Sequence, residues 1–247
     1  MRSGRWASSV TSRRLFRVGG LAMGLLCPAA TARGQSSGPT IVIDPGHPSE
    51  VSSGAELQNG TSEVHIAWLV ARRLRTLLRA DGYTVVMTKP SERTVVTNVR
   101  RAEVGNAAHA ALVVRLHCDA GSDSGYAVYH PDRAGTAHGR TGPSDEVMRW
   151  SAAAAESLHV SMAQMLAGKL KDGGVRGDTK SAIGAKQGAL TGSIFSEVPV
   201  VLIEMVTLSN AGDAAFIKGA KGQARMALAI ANGIGRYVPA SNSPRAR

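Results

Sequence analysis

Four side chains in this sequence are of the types that hold a metal ion or move a proton. They are His47 in Asp44-Pro45-Gly46-His47, Glu63 ahead of an amphipathic run, His117 closing one apolar run, and Glu204 closing another. Each stands where a secondary-structure element is expected to begin or end. Two imidazoles and one carboxylate make a three-ligand zinc site with an open fourth position, and a second carboxylate beside it is free to act as a base. That is hydrolase chemistry. Taken singly, each residue has a plainer reading: Glu63 as a helix N-terminal acid, His117 as a core-edge histidine satisfied by backbone. The functional reading rests on all four being brought together.

The elements that must do so alternate short apolar runs with longer helical patterns, which predicts an α/β fold. A first strand is expected at residues 40–43, ending in the Asp-Pro-Gly turn, then a Gly/Ser/Asn-rich loop at 48–60. A helix is expected over 62–79, with Val64, Ala67, Ala71, Leu74 and Leu78 on one face. Strands follow at 83–88, 111–117 and 125–129, with a helix at 95–109 between the first two. Residues 130–143 read as a loop, 144–171 as a long helix capped by Ser144, 198–205 as the last strand and 213–236 as the closing helix. A strand followed by a tight turn delivers the next side chain to the carboxyl edge of a sheet, where open α/β folds place their sites. His47 has that position, and His117 and Glu204 end strands that could reach the same edge.

The first 32 residues stand apart from this pattern. Arg2, Arg5, Arg13, Arg14 and Arg17 precede a short apolar stretch and the small-residue sequence Ala30-Thr31-Ala32, with no acidic residue before Asp44. This reads as a cleaved export signal, and Ser12-Arg13-Arg14-Leu15-Phe16-Arg17 resembles a twin-arginine signal. Residues 33–39 would be a linker, 40–238 the functional domain and 239–247 a disordered tail. Cleavage would leave 215 residues and, with five arginines gone, lower the formal charge from +11 to +6. That length suffices for one core. A moderately basic exported protein suits an anionic envelope, whereas few aromatics and no long Lys/Arg block argue against nucleic acid. No later segment is apolar and long enough to span a membrane. Only Cys118 would survive cleavage, so no intrachain disulfide is expected.

Residues 40–236 resemble the zinc-dependent N-acetylmuramoyl-L-alanine amidases of bacterial cell walls. The likeness is carried by Ile41-Val42-Ile43-Asp44-Pro45-Gly46-His47, by Glu63 leading its helix, and by Gly82-Tyr83-Thr84-Val85-Val86-Met87-Thr88. It continues in Arg100 with Ala107, in Val113-Val114-Arg115-Leu116-His117-Cys118-Asp119-Ala120, and in Pro199-Val200-Val201-Leu202-Ile203-Glu204 before Leu208-Ser209-Asn210. The resemblance implies a single α/β domain with a central mixed, mostly parallel sheet flanked by helices. It implies zinc held by His47, Glu63 and His117, with Glu204 as catalytic acid/base. The bond cleaved would join N-acetylmuramic acid to the L-alanine of the stem peptide. Peptidoglycan is then the partner, with an activator protein as a further candidate and the periplasm or cell exterior as the destination. Two rivals stay open: an inactive wall-binding module, and a zinc peptidase acting within the stem peptide.

This chain departs from the family in places. Asp119 replaces a frequent asparagine and suits a turn or a role beside the metal, Met205-Val206-Thr207 changes the residues after the last glutamate, and Arg115 replaces a small residue without evident reason. Among other candidates, Asp44 could orient His47 or cap the following turn, His130 could approach the site, and Arg176-Gly177 could touch substrate or simply turn the chain. His65, His109, His138 and His159 read as surface or helix-end residues. Residues 130–160 exceed what a minimal amidase needs; they fit a surface loop or a regulatory helix.

Overall fold

The computed structural model describes residues 38–240. The expected export signal, and the linker and tail apart from residues 38–39 and 239–240, lie outside them. Among the described residues eight strands and seven α-helices follow one another from β1 (Thr40–Pro45) and α1 (Glu63–Ala80) through β2 (Thr84–Met87), α2 (Asn98–Ala107), β3 (Leu112–Asp119) and β4 (Tyr126–His130). A hairpin of β5 (Gly135–Ala137) and β6 (Arg140–Gly142) precedes α3 (Asp145–Leu166) and β7 (Asp172–Gly177). Then come α4 (Ala182–Gln187), α5 (Thr191–Ile194), β8 (Val200–Thr207), α6 (Ala211–Lys218) and α7 (Ala220–Tyr237).

The central sheet has the order β2-β1-β3-β8-β4-β7. β1 pairs in parallel with β2 and β3, and β3 with β8, so four strands end at one edge. Register then sets the site. Pro45 lies opposite Leu116 and His117 opposite Glu204. β4 runs antiparallel to β8, with Ala127 opposite Glu204, and β7 is parallel to β4. The sheet is therefore mixed and mostly parallel, in a single α/β domain.

Because side chains alternate along a strand, the two faces of the sheet receive different residues. One face carries Ile41, Ile43, Leu112, Val114, Leu116, Val201 and Ile203, packed under the apolar stripes of α1, α3 and α7 in the main core. Along α1 the buried positions Ile66, Ala67, Val70, Ala71, Leu74 and Leu78 recur at helical spacing. The other face carries Val42, Val113 and Val200 in one small cluster and Ala127, Tyr129 and Leu202 in another. Asp44, Arg115, His117 and Glu204 follow on this second face, two or four residues along the same strands.

The structure corrects several boundaries. The segment read as a loop over 130–143 contains the β5–β6 hairpin, whose short Gly-Thr-Ala and Arg-Thr-Gly strands carry no apolar alternation. Ser144 caps α3 as expected, accepting from the Val147 amide at 3.3 Å. The helix stops at Leu166 rather than 171, where Gly168 takes φ +68°, a conformation costly for other residues. Asp172-Gly173-Gly174, expected to end a helix, instead opens edge strand β7. The closing helix is two, broken at extended Gly219. Ala240, at the start of the expected tail, is buried. Among the described residues no helix is long and apolar enough to cross a membrane.

Candidate metal centre

His47 follows β1 on a turn that only glycine permits at position 46. A Cβ there would sit 2.6 Å from Cε1 of the His117 ring. The two imidazoles consequently meet edge to face, with ring centroids 5.1 Å apart. The loop after the turn folds back so that Nδ1 of His47 lies 3.1 Å from the Ser52 carbonyl. A carbonyl can only accept, so this contact places the proton on Nδ1 and leaves Nε2 with its lone pair free. Nε2 points at Glu63, 3.1 Å from Oε2.

Glu63 is the first residue of α1, a helix that covers the opposite face of the sheet, and its carboxylate reaches round the edge. Oε1 lies 2.8 Å from Nδ1 of His117 and accepts from the Cys118 amide at 3.2 Å. Burial alone would raise the Glu63 pKa, but the two imidazoles beside it, His117 first and then His47, outweigh it and hold the carboxyl far below its ordinary range. Burial lowers the pKa of His117, with Glu63 opposing. Its other nitrogen, Nε2, is buried without a hydrogen-bond partner. One ligand atom from each of His47, Glu63 and His117 can be chosen so that all lie within 4.8 Å of one another. Two imidazoles, one carboxylate and an unsatisfied buried nitrogen are a donor set that can hold a divalent cation such as zinc.

Glu204 lies beside this trio, paired in register with His117. Its Oε2 is buried and has no hydrogen-bond partner. Burial first, then the Glu63 and Asp119 charges, push its pKa well above the carboxylate range, while Arg115 pulls it back. A carboxyl so placed can both hold a proton and release it. Two grooves open at Glu204. One, of about 240 Å³, is lined by Asp119, Tyr129, Lys180, Ser181, Leu190 and Leu202. The other runs past Asp123, Tyr126, Tyr129, Arg176 and Thr207.

The four residues selected from sequence are thus brought together; the lesser candidates are sorted. Asp44 does not touch His47, whose ring is held by the Ser52 carbonyl; it is buried against Arg101 at 2.5 Å and Arg115 at 3.0 Å. That ion pair accounts for Arg115, which also donates to Asn98 at 2.7 Å. Asp119 has the turn role, accepting from the Ala120 and Gly121 amides. His130 is carried away from the site because β4 runs antiparallel to β8, and its Nδ1 meets the Pro131 carbonyl instead. Arg176 lines a groove at Glu204 and donates to the Tyr129 hydroxyl at 3.3 Å. His65 faces Glu92 and His159 faces Asp172 at the surface. α3, which contains the end of the 130–160 segment, packs in the main core on the face opposite Glu204.

Sequence reasoning missed Lys89 and Arg101. Both are almost fully buried beneath the His47 turn. The only sequence signal was the oddity of Arg115 in an apolar strand beside the acidic end of another, which calls for a buried counter-charge.

Comparison with known proteins accords with this geometry. Residues 41–236 match the family model described as N-acetylmuramoyl-L-alanine amidase. The chain is 30% identical over 200 residues to N-acetylmuramoyl-L-alanine amidase LytC of Bacillus subtilis, a match that takes in 81% of this chain and 36% of LytC. The chain thus spans about a third of that relative's length. Among solved structures, the amidase AmiC2 of Nostoc punctiforme superposes with a TM-score of 0.64 at 23% identity, covering 81% of this chain and 96% of its own. The CwlD amidase from Clostridioides difficile, solved in complex with the GerS lipoprotein, gives 0.64 at 20% identity, covering 81% and 98%. These two likenesses concern the fold. With four-fifths of its length matched by one family model, and the pair of histidines and pair of glutamates converging at one sheet edge, the chain belongs to the N-acetylmuramoyl-L-alanine amidase family.

Proposed function

We propose that this domain is a zinc-dependent hydrolase that cleaves the amide between N-acetylmuramic acid and the L-alanine of peptidoglycan stem peptides. The observation that carries the reading is the convergence of ligand atoms of His47, Glu63 and His117 within 4.8 Å beside Glu204, whose Oε2 is buried and unpartnered. His47, Glu63 and His117 would hold the metal. Zinc, when bound, supplies a Lewis acid that polarises the amide carbonyl and acidifies water towards a pKa of about 7.

The remaining work falls to the chain. Glu204 takes the proton of the attacking water and passes it to the amine as the C–N bond breaks, because an unprotonated amine leaves poorly. Its raised pKa suits that exchange. The Ser52 carbonyl keeps His47 in the tautomer whose Nε2 faces the site. The groove of about 240 Å³ at Glu204, lined by Asp119, Tyr129, Lys180, Ser181, Leu190 and Leu202, offers room for part of the substrate beside the scissile bond. The reading carries with it export by the signal in residues 1–32. A protein activator fits it too, by analogy with the lipoprotein complex of CwlD.

Product analysis tests this. Zinc-loaded protein given purified peptidoglycan is expected to release peptides with a free L-alanine amine and leave glycan free of peptide. Cleavage inside the stem peptide would establish the peptidase instead, and binding without release would establish a wall-binding module.

A further inference from the structure

Beneath the turn that carries His47 lie two cations that the chemistry above does not use. Lys89 is 1% and Arg101 2% exposed. Between them they donate to four consecutive backbone carbonyls. Arg101 Nη1 reaches the Pro45 carbonyl at 2.8 Å, and Nη2 the Pro48 carbonyl at 2.9 Å. Lys89 Nζ reaches the Gly46 carbonyl at 3.4 Å and donates to the His47 carbonyl as well. Each cation is tied further into the fold. Arg101 donates to the Val96 carbonyl at 3.0 Å and to Asp44, while Lys89 donates to the Glu92 carbonyl at 2.9 Å and lies 5.9 Å from the Trp68 ring.

The charges do not balance in the ordinary way. Arg101 and Arg115 share the one buried carboxylate of Asp44, and among the described residues Lys89 has no carboxylate within ion-pair distance. Asp44 and Glu92 act on the Lys89 ammonium only from beyond contact distance. Burying a cation without a paired carboxylate is costly, so a packed apolar side chain would serve a purely structural purpose better. What the arrangement does accomplish is to fix every carbonyl from residue 45 to residue 48. His47 itself is held at φ +49°, a left-handed conformation uncommon for a residue other than glycine. From that turn the His47 imidazole is presented to Glu63 at 3.1 Å and edge-on to His117.

We propose that Lys89 and Arg101 are positioning residues that clamp the Pro45–Pro48 turn and so preset His47 for metal binding. The inference rests on the metal reading for its consequence, but the clamp itself has a readout that needs no metal. In the full chain, Lys89→Met keeps an unbranched side chain one atom shorter and removes the donor. Hydrogen exchange should then speed up at least tenfold at the amides of Gly46 and Ser49, which are bonded to the Leu116 and Ser52 carbonyls, while those of β8 keep their protection. Zinc affinity, read by competition with a chromophoric chelator, should fall about 10–100-fold, the scale set by losing a group that orients a ligand. Lys89→Arg should recover part of both.

Gln223→Ala is the control. It removes another buried polar side chain, hydrogen-bonded to Arg73 at 3.2 Å on the helical face, and should lower the melting temperature without changing zinc affinity. If Lys89→Met does not fold, Arg101→Lys keeps the charge, loses the forked contact to Pro45 and Pro48, and is expected to show the same two effects. Unchanged exchange in the turn, or zinc affinity that falls equally in Gln223→Ala, would overturn the inference. Wild-type protein that binds no zinc would remove the metal reading and the consequence for affinity, while the exchange result would still decide the clamp.

Discussion

The two faces of the central sheet are built on opposite principles. Under α1, α3 and α7 the strands present Ile, Leu and Val to helical apolar stripes, and shape and burial do the stabilising. On the other face the apolar clusters are small, and the space towards the carboxyl edge is taken by Asp44, Lys89, Arg101, Arg115, His117 and Glu204. The first face can lose a methyl group and remain the same structure. The second holds charges whose removal leaves a partner stranded. One face stabilises by apolar burial and the other by buried ion pairs and hydrogen bonds, and the proposed chemistry lies on the second.

The sharpest way to break that division is to substitute on the chemical face. Asp44→Ala strands two buried guanidinium groups, and losing one member of a buried ion pair costs about 3–5 kcal/mol in a chemical-denaturation experiment. Its pH dependence follows from the same contacts. Burial raises the Asp44 pKa, but Arg101, Arg115 and the Thr88 hydroxyl outweigh it, so the folded value lies below 3.8. A carboxyl with a depressed folded pKa stabilises above its unfolded pKa and loses that contribution as pH falls through the folded one. Melting temperature measured from pH 6 downward should therefore decline more steeply below about pH 4 in wild type than in Asp44→Asn.

On the helical face, Leu74→Ala should cost about 2–5 kcal/mol in denaturant, from lost burial and the cavity left behind. Zinc content and activity of the folded fraction should stay at wild-type levels. Equal loss of zinc in Leu74→Ala would show that the faces are not separable. At the periphery, Ser144→Ala removes the cap of α3 and should cost about 1 kcal/mol with no change in turnover. Smallest of all, breaking the exposed Arg100–Glu103 pair should change stability by about 0.5 kcal/mol or less.

The same division explains what could be read from the sequence. The helical face was legible because α1 and β1 carry unbroken apolar periodicity, and the element order and four residues at one edge followed from it. β7 and the hairpin were missed because Asp172-Gly173-Gly174 and Gly135-Thr136-Ala137 have turn composition; they are strands through pairing with neighbours, not through any pattern of their own. The antiparallel sense of β4 was equally hidden, and it is what removed His130 from the site. Lys89 and Arg101 escaped notice because a cation in a loop or on a short helix reads as solvated until the fold places backbone carbonyls around it.

The central claim, a metal held by three side chains beside a separate proton-carrying carboxyl, is tested most directly by metal content and turnover in one pair of variants. Glu204→Ala and His47→Ala would be loaded with zinc, assayed by elemental analysis and given dye-labelled peptidoglycan. Glu204→Ala should keep one zinc per chain while release falls by about 10²–10⁴-fold, the contribution expected of general acid–base catalysis. His47→Ala should lose both metal and release. Near-wild-type release from Glu204→Ala, or wild-type protein that neither retains nor responds to zinc, would contradict the account.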